Sequence, residues 1–150
     1  MPNIKVTIEG ADDVIRALQK LPRDAQDAMK AQAKDIATSL EDFIKLDARR
    51  HSRQAARASR TVRAGNAGMW PMITASNTGR AKGLLFGSVF GMKRRSGWYS
   101  AGRYRDAGKQ FGPYIGFPGS WFFSTAEDRM TWVGEEWHGA AEEVVRRWDA

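Results

Sequence analysis

The order of elements readable in this chain predicts an α+β fold, in which a small antiparallel sheet is packed by a long alanine-rich helix and a C-terminal helix. Three observations carry it. β-Branched residues alternate with polar ones near the N-terminus. Apolar residues then recur every three or four positions over about six turns. An aromatic-led segment returns to helical spacing at the end. The length, 150 residues, predicts one domain.

Residues 3 to 8, Asn3-Ile4-Lys5-Val6-Thr7-Ile8, read as a half-buried strand with Ile4, Val6 and Ile8 facing in. Gly10 ends it. Asp12 is placed to cap a short helix whose apolar positions are Val14, Ile15, Leu18 and Leu21. Pro22 breaks that helix and suits the first turn of the next. The long helix follows, with Ala25, Met29, Ala33, Ile36, Leu40, Phe43 and Leu46 on its apolar side. Lys30, Lys34, Asp35, Glu41, Asp42 and Lys45 form its polar side. Its many alanines favour helix and close packing. Such a helix packs on a sheet, and it can also line a subunit contact.

From Arg49 to Arg63 the character changes. Six arginines fall here: Arg49, Arg50, Arg53, Arg57, Arg60 and Arg63. The spacing of Arg50, Arg53, Arg57 and Arg60 puts them on one stripe of any helical continuation. Phosphate, an acidic protein face or plain solvation each accounts for such a stripe. A loop over 51–58 accounts for it equally. No aromatic residues are interleaved, which argues against base stacking.

Gly65-Asn66-Ala67-Gly68 signals a turn between two candidate hairpin strands, 60–63 and 69–75. Pro71 confines the second strand to an edge or a bulge. An apolar run punctuated by glycine spans 83–91. A basic, glycine- and aromatic-rich insert over 92–119 carries Arg94, Arg95, Trp98, Tyr99, Tyr104, Phe111 and Tyr114. A loop of that length is usually functional. Trp121-Phe122-Phe123 leads the last element, and Ser124 to Glu127 offers a capping box. Met130, Val133, Trp137, Ala141, Val144 and Trp148 then mark its apolar side. Gly134 and Gly139 each cost this helix around 1 kcal/mol relative to alanine, which a closely packed neighbour would explain.

Composition narrows the function classes. Lysine and arginine total 24 against 17 acids, a net charge of +7, which favours acidic partners. There are no cysteines, so neither disulfides nor thiolate metal sites form. No apolar run approaches ~18 residues, and the start lacks the apolar core of a signal peptide. Gly87 and Gly91 lack the Lys-Ser/Thr of a phosphate-binding loop. Glu135-Glu136 and Glu142-Glu143 are neighbours that do not face each other, so they make a poor acid–base pair. His51 and His138 have no metal-ligand spacing around them. The residues therefore predict no enzyme, cofactor or metal site.

The chain resembles the small tail-completion or neck proteins of long-tailed phages, which are head–tail connector components. Ile4 to Val14 is similar to that family's strand, Gly-centred turn and short helix ending in Leu-Pro, here Leu21-Pro22. The alanine-rich helix follows directly. Leu85-Phe86-Gly87-Ser88 resembles its Phe-Gly-small motif, with Leu85 in place of the usual acid. Phe117 to Ala126 is similar to its aromatic, proline-bearing lead into the last helix. Two further departures are Ala48-Arg49-Arg50-His51-Ser52, where the family has a Pro-Val-Asp-Thr-Gly-like segment, and an insert over 98–110.

The resemblance implies a homo-oligomeric ring subunit, commonly six-fold, without enzymatic activity. The ring sits in the virion between a head-side connector or adaptor protein and a tail terminator or tail tube protein. It surrounds the path of the genome, and it is assembled in the host cytoplasm. A tail-terminator ring is the nearest alternative, and a nucleic-acid-binding module using Arg49 to Arg63 is another. Expected partner contacts are Arg50, Arg53, Arg57, Arg60, Arg94, Arg95, Trp98, Tyr99, Tyr104, Phe111, Tyr114 and Trp121.

Overall fold

A computed structural model describes residues 3–5, 8, 10–75, 85, 88–89 and 121–148. The fold is α+β: a three-stranded antiparallel sheet and long helices. The chain divides into two compact units. One comprises Asn3–Glu41, Arg63–Thr74 and Arg129–Ala150. The other comprises Met1–Pro2, Asp42–Val62 and Ala75–Asp128.

The first unit holds the sheet. Strand β1 is Asn3–Lys5, and the part of the expected strand at 6–7 lies outside the described residues. Helix α1, Ala11–Gln19, begins after Gly10. The sequence pointed to Asp12 as its cap. Instead Gly10 takes that place with φ +74°, a left-handed turn open to glycine, and Asp12 and Asp13 lie in the first turn. There their charges oppose the positive end of the helix. The Gln26 amide donates to the carbonyls of Gln19 and Leu21, both at 3.1 Å, and so covers orphan acceptors at the end of α1.

Helix α2 runs Arg23–His51. Pro22 stands just before it and accepts from Ala25 and Gln26 through its carbonyl. Ala25, Met29, Ala33, Ile36 and Leu40 are buried as predicted. The last two turns differ: Ile44 and Ala48 are buried, Phe43 is half-buried and Leu46 is 40% exposed. Burial advances mostly in steps of four. At 100° per residue the buried side therefore turns by about 140° between Ala25 and Ala48. A straight stripe misses that drift.

Strands β2 (Arg63–Ala67) and β3 (Trp70–Thr74) form the hairpin, closing at Ala67↔Trp70. The turn is Gly68-Met69, with Gly68 at φ +62°, so Gly65 and Asn66 belong to the strand rather than the turn. The sheet order is β1-β3-β2, which makes β3 central. β3 is thus not the expected edge strand and its pairing with β2 has no bulge, but the described β1 pairs run only to Lys5↔Met72, and Pro71 lies one residue beyond them. In a two-residue hairpin the closing pair is hydrogen-bonded, so the next pair, Asn66↔Pro71, is not. The missing N–H therefore costs the β2–β3 ladder nothing.

Two hydrogen bonds tie helices to this hairpin. Glu41 of α2 accepts from the Ala64 amide at 2.7 Å. The Trp137 indole donates to the Met69 carbonyl at 2.8 Å and stacks on Trp70 at 5.6 Å. Trp137 lies on the C-terminal helix, which is two helices rather than one: α4, Phe123–Asp128, in the second unit, and α5, Met130–Trp148, in the first. Ser124 falls inside α4 and so is not a cap. Val133, Trp137, Ala141 and Val144 form the buried side of α5, and α1 packs against it.

The second unit is built around Trp121, Phe122, Ile44 and small residues, with Leu85, Ser88 and Val89 also buried. The Trp121 indole donates to the Ser88 carbonyl at 3.2 Å. The Thr125 hydroxyl has two acceptors within reach, the Asp47 carboxylate at 2.7 Å and the Trp121 carbonyl at 2.6 Å.

Candidate functional site

The arginine segment is not one helix. The α2 ladder ends where the Ser52 amide reaches the Ala48 carbonyl at 3.2 Å. Ser52 is extended, and its hydroxyl accepts from the Ala55 amide at 3.0 Å, which caps helix α3, Arg53–Ser59. Arg50 therefore sits on α2, apart from the other three members of the expected stripe. Arg53, Arg57 and the C-capping Arg60 share α3 at spacings of four and three. Ala55, Ala58 and Ser59 are buried behind them.

All six arginines from Arg49 to Arg63 are exposed. Arg50 approaches Asp47 at 4.0 Å, a surface pair of little energetic weight. Among the described residues no acidic side chain pairs with Arg53 or Arg57.

Trp121, expected as a partner contact, is fully buried with its N–H satisfied, so it serves the core. Arg94, Arg95, Trp98, Tyr99, Tyr104, Phe111 and Tyr114 lie outside the described residues.

Helix α5 presents the opposite charge. Glu135, Glu136, Glu142 and Glu143 are exposed, and of these only Glu143 has an ion pair among the described residues, to Arg147 at 3.7 Å. Glu135 and Glu142 border an open groove of about 670 Å³ that also includes Ile8, Gly134, His138 and Gly139. The glycines do not behave alike. A Cβ at Gly134 would meet Ile8 at 3.9 Å, whereas one at Gly139 would meet none of the described residues within 4 Å. The neighbour expected to explain both glycines is present for only one of them.

No protein-family model, curated protein or solved structure matches the chain. Local chemistry must therefore carry the reading. Among the described residues no three His, Asp or Glu side chains gather as a metal site. None of the described helices is long and apolar enough to cross a membrane. What the described surface offers is charge: an arginine face on α3 and a carboxylate-edged groove on α5.

The sequence reading marks the acids and glycines of this helix as the complement of the bases over 49–109 in a neighbouring subunit, but it does not mark a groove. Its signal was there in Glu135-x₃-Gly139-x₂-Glu142, which places both acids and a glycine on one side of a helix.

Proposed function

We propose that this chain is a structural virion protein of a phage neck, forming a homo-oligomeric ring, most simply a hexamer, that joins the head connector to the tail. The single observation that supports the reading is the coexistence of an exposed arginine face and an exposed acidic groove on one strongly basic chain. Like subunits with a charge of +7 repel one another. Two different, complementary surfaces allow head-to-tail contacts that close by rotation. The resemblance to tail-completion proteins adds the setting. Imaging of assembled particles tests the proposal: the chain is expected at the head–tail junction with rotational symmetry about the tail axis. A single copy per particle, or particles without it at that junction, would overturn the reading.

A second reading is favoured by the exposure of all six arginines from Arg49 to Arg63. Such a surface neutralises phosphates, and a nucleic-acid-binding module would bind duplex DNA with a steep salt dependence. Reversing Arg53, Arg57 and Arg60 to glutamate distinguishes the two. The module loses its DNA affinity uniformly across sequences, whereas a ring subunit has little affinity to lose.

A further inference from the structure

We infer that the groove on α5 receives the arginine helix α3 of a second copy of this chain, in antiparallel register, with Arg53 beside Glu142, Arg60 beside Glu135 and Arg57 between them, level with His138 and about 1.5 Å along the axis from Gly139. The inference rests on the ring reading only in requiring a second copy; it names the two surfaces that meet.

Four observations lead to it. The first is spacing. Arg53, Arg57 and Arg60 stand at i, i+4 and i+7, as do Glu135, Gly139 and Glu142. On both helices the outer members lie about 10.5 Å apart along the axis and within one narrow stripe. The second is unmet charge: among the described residues Arg53, Arg57, Glu135 and Glu142 have no ion-pair partner.

The third is room. Gly139 lies between the two carboxylates in sequence, and none of the described residues comes within 4 Å of where its side chain would begin. The middle residue of the incoming stripe, Arg57, is long and needs that gap. The fourth is accessibility. The three arginines are exposed because α3 buries only Ala55, Ala58 and Ser59. Parallel docking would pair the same charges, but opposed helix dipoles favour the antiparallel arrangement.

The surfaces are different patches of one chain, so the contact is heterologous and repeats from copy to copy. A charge exchange on the full-length protein tests it. Two double variants are needed, R53E/R60E and E135R/E142R, with circular dichroism to establish that each folds. Sedimentation equilibrium then measures association at low and high salt. The wild-type chain is expected to associate with increasing concentration, less so as salt screens the pairs. Each double variant alone should associate roughly ten-fold more weakly or worse, because like charges then meet across the interface. An equimolar mixture of the two variants should recover association, since every contact again joins opposite charges.

Register is read by single exchanges. R53E combined with E142R should associate better than R53E combined with E135R. A monomeric wild type, double variants that associate like the wild type, or a mixture that stays apart would overturn the inference. So would loss of DNA binding by R53E/R60E with association intact, which would assign the arginine helix to phosphates. A symmetric ring at the particle junction that tolerates both double variants would leave the neck reading standing and remove only this interface.

Discussion

The hairpin and the arginine helix α3 are packed in different ways. Around the hairpin the work is done by large groups with directed hydrogen bonds: Trp137 stacked on Trp70 and bonded to Met69, and Glu41 bonded to Ala64. Around α3 the buried residues are small: Ala48, Ala55, Ala58 and Ser59. The first region is exposed to the loss of atoms and the second to their gain.

The largest expected effect breaks the first half of that contrast. Trp137→Ala removes a fully buried ring and leaves the Met69 carbonyl without its donor. A loss of about 3–5 kcal/mol is expected from the cavity, with about 1–3 more from the unpaired carbonyl. Denaturant unfolding followed by tryptophan fluorescence measures it, and a loss below about 1 kcal/mol would mean that the hairpin does not depend on this anchor.

The second half is tested by addition. Ala58 is 1% exposed, so Ala58→Leu forces three additional heavy atoms into a packed layer. A loss of about 1–3 kcal/mol is expected. The matched control is Ala31→Leu on the exposed side of α2, where a change within about 0.5 kcal/mol is expected. Equal effects at the two sites would erase the contrast.

A smaller effect sharpens the account of the helix break. Ser52→Ala removes the hydroxyl that accepts from Ala55 and should cost about 1 kcal/mol, whereas Ser52→Asp keeps an acceptor and should cost little. Amide exchange at Ala55 reads the cap directly. Unchanged protection in the alanine variant would mean that α3 starts without it.

These sites also mark where the sequence was legible. Regular elements were read from periodicity: α1, the first two-thirds of α2 and the buried side of α5 follow from apolar spacing, whereas the hairpin was read from its glycines, with the first strand expected at 60–63 rather than Arg63–Ala67. The misses occur where local geometry overrides spacing. The break at Ser52 lies in a run without proline or glycine, and the only hint is a serine ahead of a helical stretch. Gly65-Asn66 is as good a turn signal as Gly68-Met69, and only strand pairing chooses between them. Pro71 was placed at an edge because a proline lacks a donor; β3 is central, but the missing N–H falls on the β1 side, one residue past the described β1 pairs. The arginine stripe was legible as chemistry but not as geometry, since one residue, Ser52, detaches Arg50 from it. The acidic face of the C-terminal helix was legible as the complement of the bases over 49–109, glycines included; the groove was not, because the acids were read as a set rather than by helical spacing, which singles out Glu135, Gly139 and Glu142.

The smallest effect joins stability to association, and the two should move in opposite directions. Gly139 is exposed within a helix, and none of the described residues comes within 4 Å of where a side chain would begin. Gly139→Ala should therefore stabilise the isolated chain by roughly 0.5–1 kcal/mol, the helical preference of alanine over glycine. If Arg57 of another copy seats there, the added methyl lifts it, and association weakens as the fold strengthens. Thr38→Ala supplies the reference, because Thr38 is exposed on α2, does not line the groove, and alanine is again the better helix former. It should stabilise without altering association. Thermal unfolding and sedimentation equilibrium on the same samples separate the two quantities. A Gly139→Ala chain that is more stable and associates as before would show that Gly139 is an unfilled groove floor and not a seat for arginine.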